Sequence, residues 1–195
     1  CNTATAVAAK ELRETYDLPI LGMEPALKPA HALRHGGSIL VLATPMTLRL
    51  EKFQQLYARY GEGAIPLPCP GLMELVEQEA NEQARRYLLE LLHPYDLRTV
   101  DAVVLGCTHY VFLRPLLREI LPENVQVLDG NEGTARQLRR VLTENDLLCA
   151  RETPGKITLE TSGAPETVLQ ILLLGFLLQA VLPVMQRLLV RADTL

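Results

Sequence analysis

The sequence predicts an α/β fold built on a parallel or mostly parallel sheet, and three observations carry that prediction. Short apolar runs of strand length alternate with longer amphipathic stretches along most of the 195 residues. Two of those runs, Ser38 to Thr44 and Ala102 to Leu105, are apolar at almost every position, as strands covered on both faces are. Hydrophobic residues make up 48% of the chain, enough to fill a core beneath helices on either side of a sheet.

Taken in order, Asn2 to Tyr16 has the alanines, Leu12 and mixed charges of a helix, with Asn2 or Thr3 available as its N-cap. Pro19 to Gly22 reads as a short strand. Pro25 and Pro29 forbid a long uninterrupted helix, so Glu24 to Ala30 is a loop or a helix start. The strand Ser38 to Thr44 leads into a helix over Met46 to Tyr60, whose apolar face is Leu48, Phe53, Leu56 and Tyr57. Ala64 to Leu67 is the next strand, and Leu72 to Leu92 a long charged helix with a break expected between Glu79 and Asn81. After the strand Ala102 to Leu105 comes a helix over Phe112 to Leu121, then a strand at Val125 to Leu128 and a helix over Thr134 to Leu142. Ile157 to Thr161 is expected as the last strand.

Charge and cysteine usage narrow the function classes. The net charge of −4, with basic residues interspersed among acidic ones, offers no field for nucleic acid or anionic lipid. Cysteines at 1, 69, 107 and 149 lack the close pairs of a zinc site or a redox dithiol, and no secretory signal is visible. Reduced thiols in the cytoplasm are the expectation, with no metal. His31, His35 and His93 read as surface or loop residues, and Cys69 and Cys149 as packing residues.

Cys107 stands apart because it follows a buried strand and a glycine, which puts Cys107, Thr108 and His109 at a strand's carboxyl end, where open α/β sheets bind ligands. A small residue closing a strand reads equally well as packing. The chemical reading is a two-base one. Inverting an amino acid at Cα without a cofactor on its amine requires a base on one face and an acid on the other, and two thiols can fill both roles. Only the thiolate is an effective base; a helix N-terminus or a neighbour such as His109 helps to form it. Helix N-termini also bind carboxylates, and Asn2, Thr3 and Thr108 add hydrogen bonds there, so the substrate is expected to be a small anion. Thr44 and Thr47 are candidates to line the crevice, Thr47 being equally readable as a helix N-cap.

The ordered set Cys1-Asn2-Thr3-Ala4, Glu24 to Ala30, Leu42-Ala43-Thr44, Val104 to Tyr110 and Thr161-Ser162-Gly163 resembles the glutamate racemases of the aspartate/glutamate racemase superfamily. Aspartate and hydantoin racemases tend to carry glutamate where this chain has His109. The resemblance implies a two-lobed fold with mostly parallel sheets, residues 1–24 and 129–195 belonging to the first lobe and 25–128 to the second. It implies cofactor-independent interconversion of L- and D-glutamate for peptidoglycan, with Cys1 and Cys107 as catalytic thiols, His109 assisting the second, and Glu77 orienting the histidine. Asn2, Thr3 and Thr108 match substrate-binding positions, and Thr44 joins them at the crevice. A homodimer is implied for the full-length protein.

The family's Asp-Ser-Gly and Pro-Tyr-Gly turns have no counterpart here, so the expectation is a fragment whose first lobe is incomplete and which is inactive alone. The alternatives are an aspartate-type two-cysteine racemase and a catalytically dead truncated binding module. From Thr167 to Gln186 the chain has no charged residue, enough to reach across a bilayer of about 30 Å, yet Gln170, Gln179 and Pro183 favour a buried helix pair over a membrane span.

Overall fold

The computed structural model describes residues 1–148. The strand expected at Ile157 to Thr161, the Thr161-Ser162-Gly163 motif, Cys149 and the uncharged stretch Thr167 to Gln186 lie outside the described residues. The chain divides into two compact units, Cys1–Gly130 and Asn131–Leu195.

In the first unit four parallel strands form one sheet, β1 (Ser38–Ala43), β2 (Ala64–Pro68), β3 (Val100–Leu105) and β4 (Gln126–Leu128), in the spatial order β2-β1-β3-β4. The inner strands alternate from Ile39 to Leu42 and from Ala102 to Leu105, beyond a register shift at Asp101. Leu40 and Leu42 of β1 join Val103 and Leu105 of β3 in one core, while Ile39 and Val41 join Ala102 and Val104 in another on the opposite face. Two buried faces explain why both strands are apolar at nearly every position.

The helices that cover those faces follow from the strand order. Between β1 and β2 run α1's successors in the chain, α3 (Pro45–Arg49) and α4 (Glu51–Tyr60), counting α1 (Asn2–Thr15) and α2 (Leu27–Ala32) as the two helices before the sheet. Phe53 and Leu56 of α4 pack with Leu27 and Ala30 of α2 in the Ile39 and Val41 core. Between β2 and β3 lie α5 (Leu72–Glu77) and α6 (Asn81–Leu92), and between β3 and β4 lies α7 (Arg114–Ile120). Their Leu72, Leu88 and Leu117 fill the other core. The chain steps one way from β1 to β2 and the other way through β3 to β4, so right-handed crossovers must use opposite faces. The reversal leaves a topological switch point between β1 and β3, and the carboxyl ends of those two strands carry Thr44 and Cys107.

Several sequence expectations are corrected here. Pro19 to Gly22 is not a strand; the chain beyond it is held instead by Met23 N–H donating to Thr5 Oγ1 at 3.0 Å. The helix expected over Met46 to Tyr60 is two helices, because Leu50 adopts an extended ψ of 138° between them. The expected break in Leu72 to Leu92 occurs at Glu79, whose φ of 53° is left-handed, a conformation no helix can contain. Phe112 to Leu113 belong to a 3-10 turn, Thr108–Leu113, ahead of α7. His31 is not in a loop: it lies in α2, its ring 6.0 Å from that of Tyr60.

The second unit is described through α8 (Asn131–Glu144), whose surface carries the i,i+4 pairs Arg136–Glu132 and Arg140–Glu144. Among the described residues no helix is long and apolar enough to cross a membrane.

Candidate active site

The carboxyl end of β3 is locked to β1 before the chain turns. Gly106 N–H donates to Leu42 O at 2.7 Å, continuing the ladder one residue past the strand. Cys107 follows with φ −133° and ψ 143° and stands at the N-cap position of the 3-10 turn, its carbonyl accepting from Tyr110 N–H at 3.1 Å. Tyr110 is fully buried and donates its hydroxyl to Cys69 O at 3.2 Å, which pins the turn to the segment after β2. Thr108 opens the turn and is partly buried.

The Cys107 thiol is partly buried, and its burial pushes its pKa above the ordinary thiol value, against which the backbone N–H groups of His109 and Tyr110 favour the thiolate. The negative charge of Glu77 raises it further. A thiol so placed rests protonated at neutral pH, and forming the thiolate requires a base within reach. His109 Nδ1 lies 3.7 Å from Cys107 Sγ, and His109 Nε2 lies 3.0 Å from Glu77 Oε1. An ionised carboxylate can only accept, so a neutral His109 places its proton on Nε2 and turns the Nδ1 lone pair toward the thiol. The three side chains therefore form a line along which the thiol proton can move to the imidazole, with Glu77 stabilising the imidazolium. Glu77 reaches this position from the last residue of α5, which Gly71, with φ 79°, starts as a left-handed N-cap.

Cys1 occupies the N-cap position of α1, its carbonyl accepting from Thr5 N–H at 3.0 Å, and is exposed. This corrects the expectation that Asn2 or Thr3 caps the helix, since both side chains are engaged across the fold instead. Asn2, 8% exposed, donates its Nδ2 to Gly106 O at 2.6 Å, tying the residue after Cys1 to the residue before Cys107. Its Oδ1 is buried without a hydrogen-bond partner. Thr3 Oγ1 lies 3.1 Å from Thr47 Oγ1, which in turn lies 2.9 Å from Thr44 Oγ1. Thr44 is the N-cap of α3, accepting from Thr47 N–H at 3.2 Å, so the capping reading of Thr47 is corrected as well.

Asn2, Thr3, Thr44, Cys107, Thr108, His109 and Glu77 thus converge on the switch point or the turn beside it, with Cys1 at the end of the helix that Asn2 anchors there. Local sequence did not disclose two supports, the buried Tyr110 hydroxyl and the Thr47 link to Thr3. A tyrosine immediately after the Cys-Thr-His run was the available signal for the first. Among the described residues no group of three His, Cys, Asp or Glu side chains could hold a metal ion.

Cys69 behaves differently from Cys107. It is 1% exposed, donates its thiol to Leu67 O at 3.3 Å, and burial pushes its pKa up to about 12. Between the ordinary thiol value and about 12 the unfolded chain loses this proton while the folded chain keeps it, so stability falls as pH rises through that window. Burial likewise pushes Tyr87 up to about 12 and raises Tyr110, which steepens the decline at its upper end. Cys69→Ala is expected to flatten the fall in Tm from about pH 9 to about pH 11, followed by circular dichroism. Identical slopes for variant and wild type would contradict the assignment of Cys69 as a buried neutral thiol.

The family model for Asp/Glu/hydantoin racemase matches residues 1–138. A glutamate racemase of Clostridium perfringens is 44% identical over 176 residues, which cover 88% of this chain and 68% of that protein. One from Bifidobacterium adolescentis is 46% identical over 178 residues, 88% of this chain and 69% of that protein. Among solved structures, Escherichia coli glutamate racemase in complex with L-glutamate and the activator UDP-MurNAc-Ala aligns with a TM-score of 0.65 at 34% identity, over 73% of this chain and 56% of that one. A glutamate racemase isoform from Bacillus anthracis aligns with a TM-score of 0.74 at 26% identity, over 90% of this chain and 68% of that one. The chain therefore spans little more than half of the first of these structures and about two thirds of the other three proteins. With a family match through most of its length and relatives at this identity, the chain belongs to the Asp/Glu/hydantoin racemase family, among its glutamate racemases.

Proposed function

We propose that the protein interconverts L- and D-glutamate without a cofactor, Cys1 and Cys107 acting on opposite faces of the substrate Cα. The observation that carries the reading is the line Glu77–His109–Cys107 at the carboxyl end of β3, with Asn2 joining the Cys1 helix to the same turn. One thiolate removes the α-proton, and the electron pair of the broken C–H bond passes into the adjacent carboxylate. The opposing thiol then delivers its proton to the other face. One thiol has become a thiolate and the other a thiol, so the roles are exchanged and the reverse reaction restores them.

His109 takes the proton from Cys107 when that residue must act as base, and Glu77 holds the imidazole in the tautomer that can do so. Asn2 Oδ1, which has no hydrogen-bond partner within the fold, is the acceptor we assign to the substrate ammonium, while Thr3 and Thr108 offer hydroxyls for its carboxylates and Thr44 stands beside them at the end of β1. D-Glutamate for peptidoglycan is the product this reading supplies, in the cytoplasm, by a homodimer of the full-length protein.

The test is direct. The full-length protein that carries this chain, given either glutamate enantiomer without pyridoxal phosphate, is expected to bring the circular dichroism signal to zero and, in D2O, to place deuterium at Cα. A signal that stays constant over protein and time in excess, for both enantiomers, would refute the proposal.

A further inference from the structure

The three threonine hydroxyls at the switch point form a chain whose direction can be worked out from its donors. Thr44 Oγ1 already accepts Thr47 N–H at 3.2 Å. If the Thr44 proton points to Thr47 Oγ1 at 2.9 Å, the Thr47 proton points to Thr3 Oγ1 at 3.1 Å, and the Thr3 proton is left facing the crevice. In the opposite sense Thr44 Oγ1 would receive both the N–H and the O–H of Thr47, and Thr3 would turn a lone pair outward. Thr47 is 4% exposed, so its hydroxyl has no recourse to solvent and its two bonds are with Thr3 and Thr44.

We propose that Thr47 is a positioning residue that turns Thr3 into a hydrogen-bond donor toward a substrate carboxylate. The inference rests on the glutamate reading above, since an anionic substrate is what selects the sense of the chain: a carboxylate accepts and cannot donate. Each hydroxyl then polarises the next, from the cap of α3 to the first turn of α1, and strengthens the last donation. Thr47 never meets the substrate itself. Its effect passes through Thr3 alone.

Thr47→Val keeps the side-chain shape and removes the relay, whereas Thr47→Ser keeps the hydroxyl. KM for glutamate is expected to rise about tenfold in Thr47→Val with kcat nearly unchanged, and to return close to wild type in Thr47→Ser. In a Thr3→Val background, Thr47→Val should add nothing to KM. Each variant's Tm is measured beside its kinetics. A KM equal to wild type in Thr47→Val, or an additive rise in the double variant, overturns the relay while leaving the racemase reading intact. A lower Tm with unchanged KM, not restored by serine, marks a packing role and overturns it too. A full-length wild-type protein that does not racemise glutamate overturns both.

Discussion

In the full-length protein, Cys107→Ser is expected to reduce kcat for racemisation by about a thousandfold or more in both directions, with a smaller effect on KM and on Tm. The serine hydroxyl fits where the thiol sits, partly buried at the end of β3, so folding is spared. What is lost is acidity. A thiol whose pKa burial has raised can still yield its proton to an imidazole 3.7 Å away, because the N–H groups of His109 and Tyr110 stabilise the anion that results. An alcohol in that place stays protonated against the same base. Exchange of the α-proton with D2O from a single enantiomer, through Cys1, is the most that should survive. Turnover within tenfold of wild type, followed by circular dichroism on either enantiomer, would remove Cys107 from the reaction.

Gly106→Val is expected to cost both stability and activity. The residue does not need a left-handed backbone; it needs space. A Cβ built there would stand 2.8 Å from Leu42 O and 2.9 Å from Ala43 Cβ, and neither can retreat, because β1 is bonded to strands on both sides. Relief must come from the β3 end moving away, which breaks the 2.7 Å bond to Leu42 O and displaces the carbonyl that receives Asn2. Overpacking of this kind costs about 1 to 3 kcal/mol, and the lost ladder bond adds to it. Racemisation should be undetectable even at temperatures where the variant remains folded, while Gly106→Ala should show a milder form of both losses. A Gly106→Val protein with wild-type Tm and turnover would mean that the spacing between the two turns is not set here.

How much of this was legible in the sequence depended on how many neighbours each segment has. The strands β1 and β3 were readable because each has a strand on either side and a helical layer above and below, a demand that leaves almost no polar position. Pro19 to Gly22 carries a similar apolar run without any strand beside it, and composition cannot report a missing partner. Leu50 hid the break between α3 and α4 because an apolar residue fits a helical face as well as it fits an extended corner. Glu79 and its neighbours were visible as a break because polar residues interrupt the apolar face there. The site divides similarly. Strand, glycine and Cys107 are contiguous and announced a crevice, whereas the pairing of His109 with Glu77 spans two helical segments and came from resemblance rather than from local pattern. Thr47 read in sequence as a crevice residue or an N-cap, and only its burial and its contact with Thr3 reveal that it meets a residue on another helix.

The alternation from Ala102 to Leu105 also fixes how the protein can vary in length. Val103 and Leu105 face one core and Ala102 and Val104 the other, while a register shift at Asp101 leaves Val100 with the first set, so deleting a single residue between Ala102 and Leu105 would exchange the two sets and present Cys107 to the opposite side of the sheet. No compensating substitution repairs that, because the parity of the whole segment has changed. The connection His93 to Asp96 between α6 and β3, and the exposed turn at Glu123 and Asn124 before β4, carry no such parity. Insertions and deletions among functional descendants of this chain should collect in those connections and stop at Ala102, so the distance along the chain from there to Cys107 acts as a ruler that selection can repaint but not cut.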